Sequence, residues 1–148
     1  HGNGPDKDHL WFCVRAGGED WTGRPTFYFE IGPDYYSYGM GFWAPKAALM
    51  EAYRKAVDEH PEVLEKLVKR FNKQTQFTLS GTEYARKRTA PSPLLAAWYN
   101  KKSINLQHDA APDERMFSQE LAQDIIEGFR TLMPLYKYFD ALCAAEMV

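Results

Sequence analysis

Cysteine is scarce in this chain: two in 148 residues, Cys13 and Cys143, at opposite ends and in no C-x-x-C arrangement. That rules against a disulfide scaffold, a dithiol redox motif and a thiolate zinc site. Both thiols read as small buried hydrophobes. Long apolar runs are missing too. Nothing approaches the roughly 20 residues needed to cross a bilayer, and the opening His1-Gly2-Asn3-Gly4-Pro5-Asp6-Lys7-Asp8 has no apolar signal core. The expectation is a soluble, intracellular protein without a membrane partner. There is no initiator Met, so a further N-terminal part is expected ahead of this segment. G-x-S-x-G, P-loop and H-E-x-x-H strings are absent, and His9, His60 and His108 share no metal-ligand spacing. No cofactor, metal site or catalytic residue is therefore spelled out.

What is present is an ordinary globular composition, 45% hydrophobic, 15% aromatic and 26% charged, with a formal net charge of −2. One domain with one core fits that length. Residues 9–43 read as sheet. Leu10, Phe12 and Val14 alternate with polar or opposite-face neighbours, Gly17-Gly18 makes a connection, and Phe27, Phe29 and Ile31 alternate with Thr26, Tyr28 and Glu30. Gly32-Pro33-Asp34 is too short for anything but a hairpin into Tyr36, Tyr38, Met40 and Phe42. The result is a three-stranded antiparallel meander.

Pro45 marks a helix start, and Leu49, Met50, Tyr53, Ala56 and Val57 recur at helical spacing up to His60-Pro61. A second helix follows on Val63, Leu64, Leu67, Val68 and Phe71. A short strand is predicted at 77–81, a short helix at 94–99, and an edge strand at Ile104-Asn105-Leu106. Ser118 is a candidate N-cap for a long C-terminal helix, which Pro134 should kink or split. The fold class is α+β over residues 1–148: a curved antiparallel sheet packed by several helices.

Two constellations carry chemistry. Gly39-Met40-Gly41-Phe42-Trp43-Ala44 has the G-x-G-x-x-A form of a dinucleotide turn, yet the second helix where a parallel strand is needed, and the bulk of Phe42 and Trp43, argue against it. Gly39 and Gly41 read instead as a shallow trough for a ring or a backbone. In a rival, enzymatic reading that trough is the floor of a cleft with Tyr35, Ser37, Trp43 and Glu30 around it. Charge is the stronger signal. Between Lys66 and Lys102 there are nine Lys and Arg against one acid, Glu83. Such segregation points to an anionic class of partner, a phosphorylated one among them, with Arg86, Lys87, Arg88, Lys101 and Lys102 supplying charge and Trp98 or Tyr84 a stacking face. Single-stranded nucleic acid is a narrower version without a recognised motif to support it.

The strings Pro25–Asp34 and Tyr38–Pro45, with the Asp58–Glu62 junction, the Tyr84–Arg88 patch, the Trp98–Lys102 run and Leu132–Tyr136, resemble a bacterial conserved-hypothetical family, domain of unknown function twenty-four sixty-one. The resemblance implies an α+β fold and a bacterial, cytoplasmic setting. It brings no activity, cofactor or catalytic residue. It also implies an N-terminal helical region and an Arg-, Asp- and Lys-rich segment that this chain lacks. The leading expectation is a non-catalytic binding module for a phosphorylated or other anionic ligand on the 66–102 segment. An enzyme of unrecognised type and a protein–protein interaction subunit are the alternatives.

Overall fold

The computed structural model describes residues 10–14, as backbone, and residues 23–146. The charged opening, Arg15, the Gly17-Gly18 connection and the side chains of 10–14, Cys13 included, lie outside the described residues. Five strands form one antiparallel sheet: β1 (Leu10–Val14), β2 (Thr26–Ile31), β3 (Tyr36–Gly41), β4 (Thr78–Ser80) and β5 (Asn105–Ala110). Their spatial order is β1-β2-β3-β5-β4. The expected meander is there, closed at 32–35 by the Gly32 N–H donating to the Tyr35 carbonyl at 2.8 Å. The predicted edge strand is corrected in place and length. It begins at Asn105, runs on to Ala110, and lies inside the sheet, paired with β3 on one side and β4 on the other. Its alternation continues past Leu106 through His108 and Ala110, which an apolar pattern alone does not register.

Helices follow the periodicity closely: α1 (Ala47–Glu59), α2 (Pro61–Phe71), α3 (Ala96–Tyr99, entered through a 3-10 turn at Pro93–Leu95) and α4 (Gln119–Glu146). The first begins two residues after Pro45, with Lys46 at its N-cap. Ser118 caps α4, its hydroxyl accepting from the Leu121 N–H at 3.1 Å. Pro134 does not split α4, which is one helix of 28 residues. Leu132 and Leu135, buried on either side of the proline, hold both halves to the same core.

That core lies between one face of the sheet and the helices. Phe27 and Tyr38 meet Phe129 of α4, Phe42 meets Phe139, and Tyr53 of α1 packs on Phe139 from the other side. Met40, Leu106, Val57, Leu64 and Leu132 are fully buried among them, each contributing roughly 1.5–3 kcal/mol by leaving water. The opposite sheet face carries a polar ladder. Ser80 and Asn105 both donate to the Gln107 amide oxygen, and Gln107 in turn donates to Asp109 at 2.6 Å. Among the described residues no helix is long and apolar enough to cross a membrane.

Candidate cleft at the sheet edge of helix α4

Tyr36 and Tyr38 sit two apart on β3, so they share the helix-facing side, and register places His108 of β5 opposite Tyr38. The first turns of α4 bring Asp124 and Glu127 over the same spot, and the loop ahead of Ser118 brings Arg115. With Gln76 and Leu121 these residues line a cavity of about 290 Å³.

Gln76 holds the cleft together. Its side-chain amide donates to the Tyr38 hydroxyl at 2.8 Å and to the Asp124 carbonyl at 3.1 Å. Its backbone carbonyl lies 2.7 Å from Nδ1 of His108. A carbonyl only accepts, so Nδ1 carries the proton, and in the neutral ring Nε2 holds the lone pair. The imidazole is also stacked on Tyr38, with ring centroids 4.9 Å apart. Gly128 makes this approach of Gln76 to α4 sterically possible: a Cβ there would come within 2.7 Å of the Phe77 ring and 2.9 Å of Gln76 Nε2.

Polar inventory decides what the cleft can do. Burial pushes the hydroxyls of Tyr36 and Tyr38 above the ordinary tyrosine value, so both are neutral near pH 7. Tyr36 has no hydrogen-bond partner among the described residues. The Arg115 guanidinium is tied to Asp124, with Glu120 4.0 Å away. What remains for a ligand is acceptor capacity at His108 Nε2, the Glu127 carboxylate and the second Asp124 oxygen, with donors in the Tyr36 and Tyr38 O–H groups and in Arg115 Nε, which is buried without a hydrogen-bond partner. Among the described residues no three His, Cys, Asp or Glu side chains are grouped to hold a metal ion.

The trough residues lie on the other side of β3. A Cβ at Gly39 would fall 2.0 Å from the Leu106 carbonyl, and one at Gly41 2.7 Å from the Asn105 side chain. The glycines thus let β5 approach, and the neighbouring strand fills the space that a cleft floor would need. Tyr35 donates to Glu30 at 2.8 Å, Ser37 is buried, and Trp43 packs edge-on against Tyr28. With β3 flanked by antiparallel β2 and β5, the described residues form no parallel β-α-β unit for a dinucleotide.

The basic residues are partly drawn together and partly neutralised. The 84–88 segment is fastened to Asn100, which accepts from the Tyr84 N–H through its carbonyl and from the Arg88 N–H through its side chain. Lys87 and Lys101 both pair with Glu83, at 2.9 and 3.2 Å, and Arg88 pairs with Glu51. Lys101 is buried, and so is Trp98, whose ring packs edge-on against Phe71 and offers solvent no stacking face. Tyr84 is covered on one side by Arg54. Arg86 and Lys102 are exposed and make no ion pair among the described residues.

Sequence reasoning missed Gln76, Arg115 and Asp124 as site residues and treated His108 as an isolated histidine. The one available signal was His108 itself, a polar residue on the inward side of an alternating strand.

A family model described as conserved hypothetical protein (DUF2461) matches residues 1–138. No curated protein and no solved structure matches the chain.

Proposed function

The chain belongs to the DUF2461 family of conserved hypothetical proteins, and from its own geometry we propose that it binds a small, donor-rich molecule, an amine or a polyol, in the cleft beside His108. The observation that carries this reading is the Gln76 carbonyl on His108 Nδ1, which fixes the ring so that Nε2 is the accepting nitrogen. A histidine oriented through one nitrogen is the arrangement used to take a hydrogen bond or a proton with the other. Glu127 and Asp124 add acceptors suited to ammonium or hydroxyl groups, while among the described residues the one guanidinium lining the cavity gives a terminal nitrogen to Asp124 and keeps its buried Nε without a hydrogen-bond partner. The volume suits a small metabolite, lying at the low end of ligand pockets, which span about 300–1,000 Å³. Proton transfer from the bound molecule to Nε2 is the reaction step this geometry offers.

The test is a ligand screen by protein-observed NMR with amines, amino sugars, polyols, carboxylates and phosphates. Amines or polyols should shift the signals of His108 and its neighbours, and His108→Gln should abolish the effect. Hits confined to carboxylates and phosphates, or hits indifferent to His108, contradict the reading.

A second reading keeps the anionic partner on the 66–102 segment, favoured by Arg86 and Lys102, exposed and without an ion pair among the described residues. Retention on heparin that falls in the Arg86→Ala/Lys102→Ala double variant supports it; flow-through of the parent chain removes it. We place the protein in the bacterial cytoplasm, a setting supported by the free, buried thiol of Cys143.

A further inference from the structure

Away from the cleft, the outer side of α1 carries an arrangement of charges that helix stability alone does not call for. Arg54 is 3% exposed, an unusual burial for a guanidinium. One of its terminal nitrogens donates to Glu51 at 2.7 Å. Its Nε and Nη1 are buried with no hydrogen-bond partner. The flat of the group lies on the Tyr84 ring, 4.3 Å from the centroid. From the other side Arg88 donates to both Glu51 oxygens, at 2.8 and 3.4 Å. The two arginines therefore converge on one carboxylate, and they hold it in its charged form far below the ordinary range, at about 2. Glu51 itself is the loose partner, its side chain 58% exposed. Arg88, by contrast, is anchored through its backbone, donating to and accepting from the Asn100 side chain at 2.8 and 3.1 Å.

We propose that Arg54, Arg88 and Tyr84 form a receptor for a small oxyanion, inorganic phosphate or a phosphomonoester, and that Glu51 is its internal stand-in. Guanidinium groups match the edges of phosphate and carboxylate alike. A carboxylate has two oxygens, and here three N–H groups already use them while two further nitrogens of Arg54 find no acceptor. A phosphoryl group has three terminal oxygens and up to two charges, so it satisfies more of these donors once Glu51 rotates outward over the helix surface. The site is independent of the His108 cleft and narrows the anionic reading to one place, distinct from the Arg86/Lys102 surface.

Titration calorimetry with inorganic phosphate and with glycerol 3-phosphate, on the parent chain and on Glu51→Gln, tests the proposal. Removing the competing charge should tighten phosphate binding at least tenfold, and adding Arg88→Gln to that variant should cancel the gain. Tighter binding of glycerol 3-phosphate than of phosphate identifies the phosphomonoester as the ligand; the reverse identifies free phosphate. A folded Glu51→Gln that binds neither better than the parent overturns the proposal. Phenylglyoxal modification of Arg88 in the parent chain gives a second reading that needs no variant: protection by phosphate is expected, and an unchanged rate contradicts the site. Heparin retention lost in Arg86→Ala/Lys102→Ala while this titration is unchanged separates the surface from the receptor.

Discussion

Gln76 grips His108 by its backbone carbonyl, 2.7 Å from Nδ1, while the side chain of the same residue ties the Tyr38 hydroxyl to α4. One residue between α2 and β4 thereby sets the imidazole's tautomer and the position of the ring stacked on it. The cleft depends on that grip: β3 and β5, paired in the sheet, set His108 beside Tyr38, and Gln76 ties both to Asp124 of α4 by hydrogen bonds.

Gly128→Ala should loosen this arrangement. The new methyl meets the Phe77 ring at 2.7 Å and Gln76 Nε2 at 2.9 Å, side chains that shift at a cost of about 1–3 kcal/mol. Urea denaturation should show that loss, with His108 resonances displaced in the folded variant. Unchanged stability would mean that α4 and the 76–77 segment are not in contact.

Gly39→Ala should be worse than Gly128→Ala. Here the obstacle is the Leu106 carbonyl at 2.0 Å, a backbone atom of a paired strand that cannot rotate away. The expected result is a larger fall in the urea midpoint than for Gly128→Ala. Equal or smaller loss would contradict the close β3–β5 approach and reopen the trough as a ligand floor.

Phe117 has φ +64° and is 81% exposed, so it bears left-handed strain without burying its ring. Phe117→Gly should raise stability by about 0.5–1 kcal/mol, the relieved strain being partly offset by the freer unfolded chain. Thermal melting checks this, and a lowered melting temperature would reveal an apolar contact that outweighs the strain.

Acid should reveal the Arg54–Glu51–Arg88 contact. Glu51 is held at about 2 against an ordinary 4.5, chiefly by hydrogen bonds from Arg88 and then Arg54. A carboxyl depressed on folding adds stability that is complete above the unfolded value and is lost as pH falls through the folded one. Stability of the parent chain should therefore decline between about pH 4.5 and 2 more steeply than that of Glu51→Gln, read as urea midpoints. Parallel profiles would show that Glu51 does not feel both arginines in solution.

Much of the fold was legible because alternation and helical periodicity are strong here: Phe27, Tyr38 and Met40 face α4 as their spacing requires, and Ser118 caps where the pattern begins. The misses have local causes. Asn105–Ala110 was cut short at Leu106 because His108 occupies an inward position that a purely apolar pattern cannot claim, and that position belongs to the cleft. Pro134 was expected to kink or split α4, and the split does not occur: Leu132, Leu135 and Phe139, buried along the same face, keep one continuous helix across the lost N–H. The cleft itself was invisible. Gln76 acts on His108 through a backbone carbonyl that any residue type possesses, and Arg115 and Asp124 arrive from segments with no spacing relation to β3. The basic 66–102 segment was conspicuous in sequence, but its pairing with Glu51 from α1 depends on tertiary contacts that composition does not contain.

The most direct measurement is the tautomer of His108 by long-range ¹H–¹⁵N NMR at a pH where the ring is neutral. The account predicts the Nδ1–H form, with Nε2 showing the shift of an unprotonated nitrogen that moves when an amine or polyol binds. A ring protonated on Nε2, or one averaging between the two forms, would contradict the grip of Gln76 and with it the cleft as a site of function.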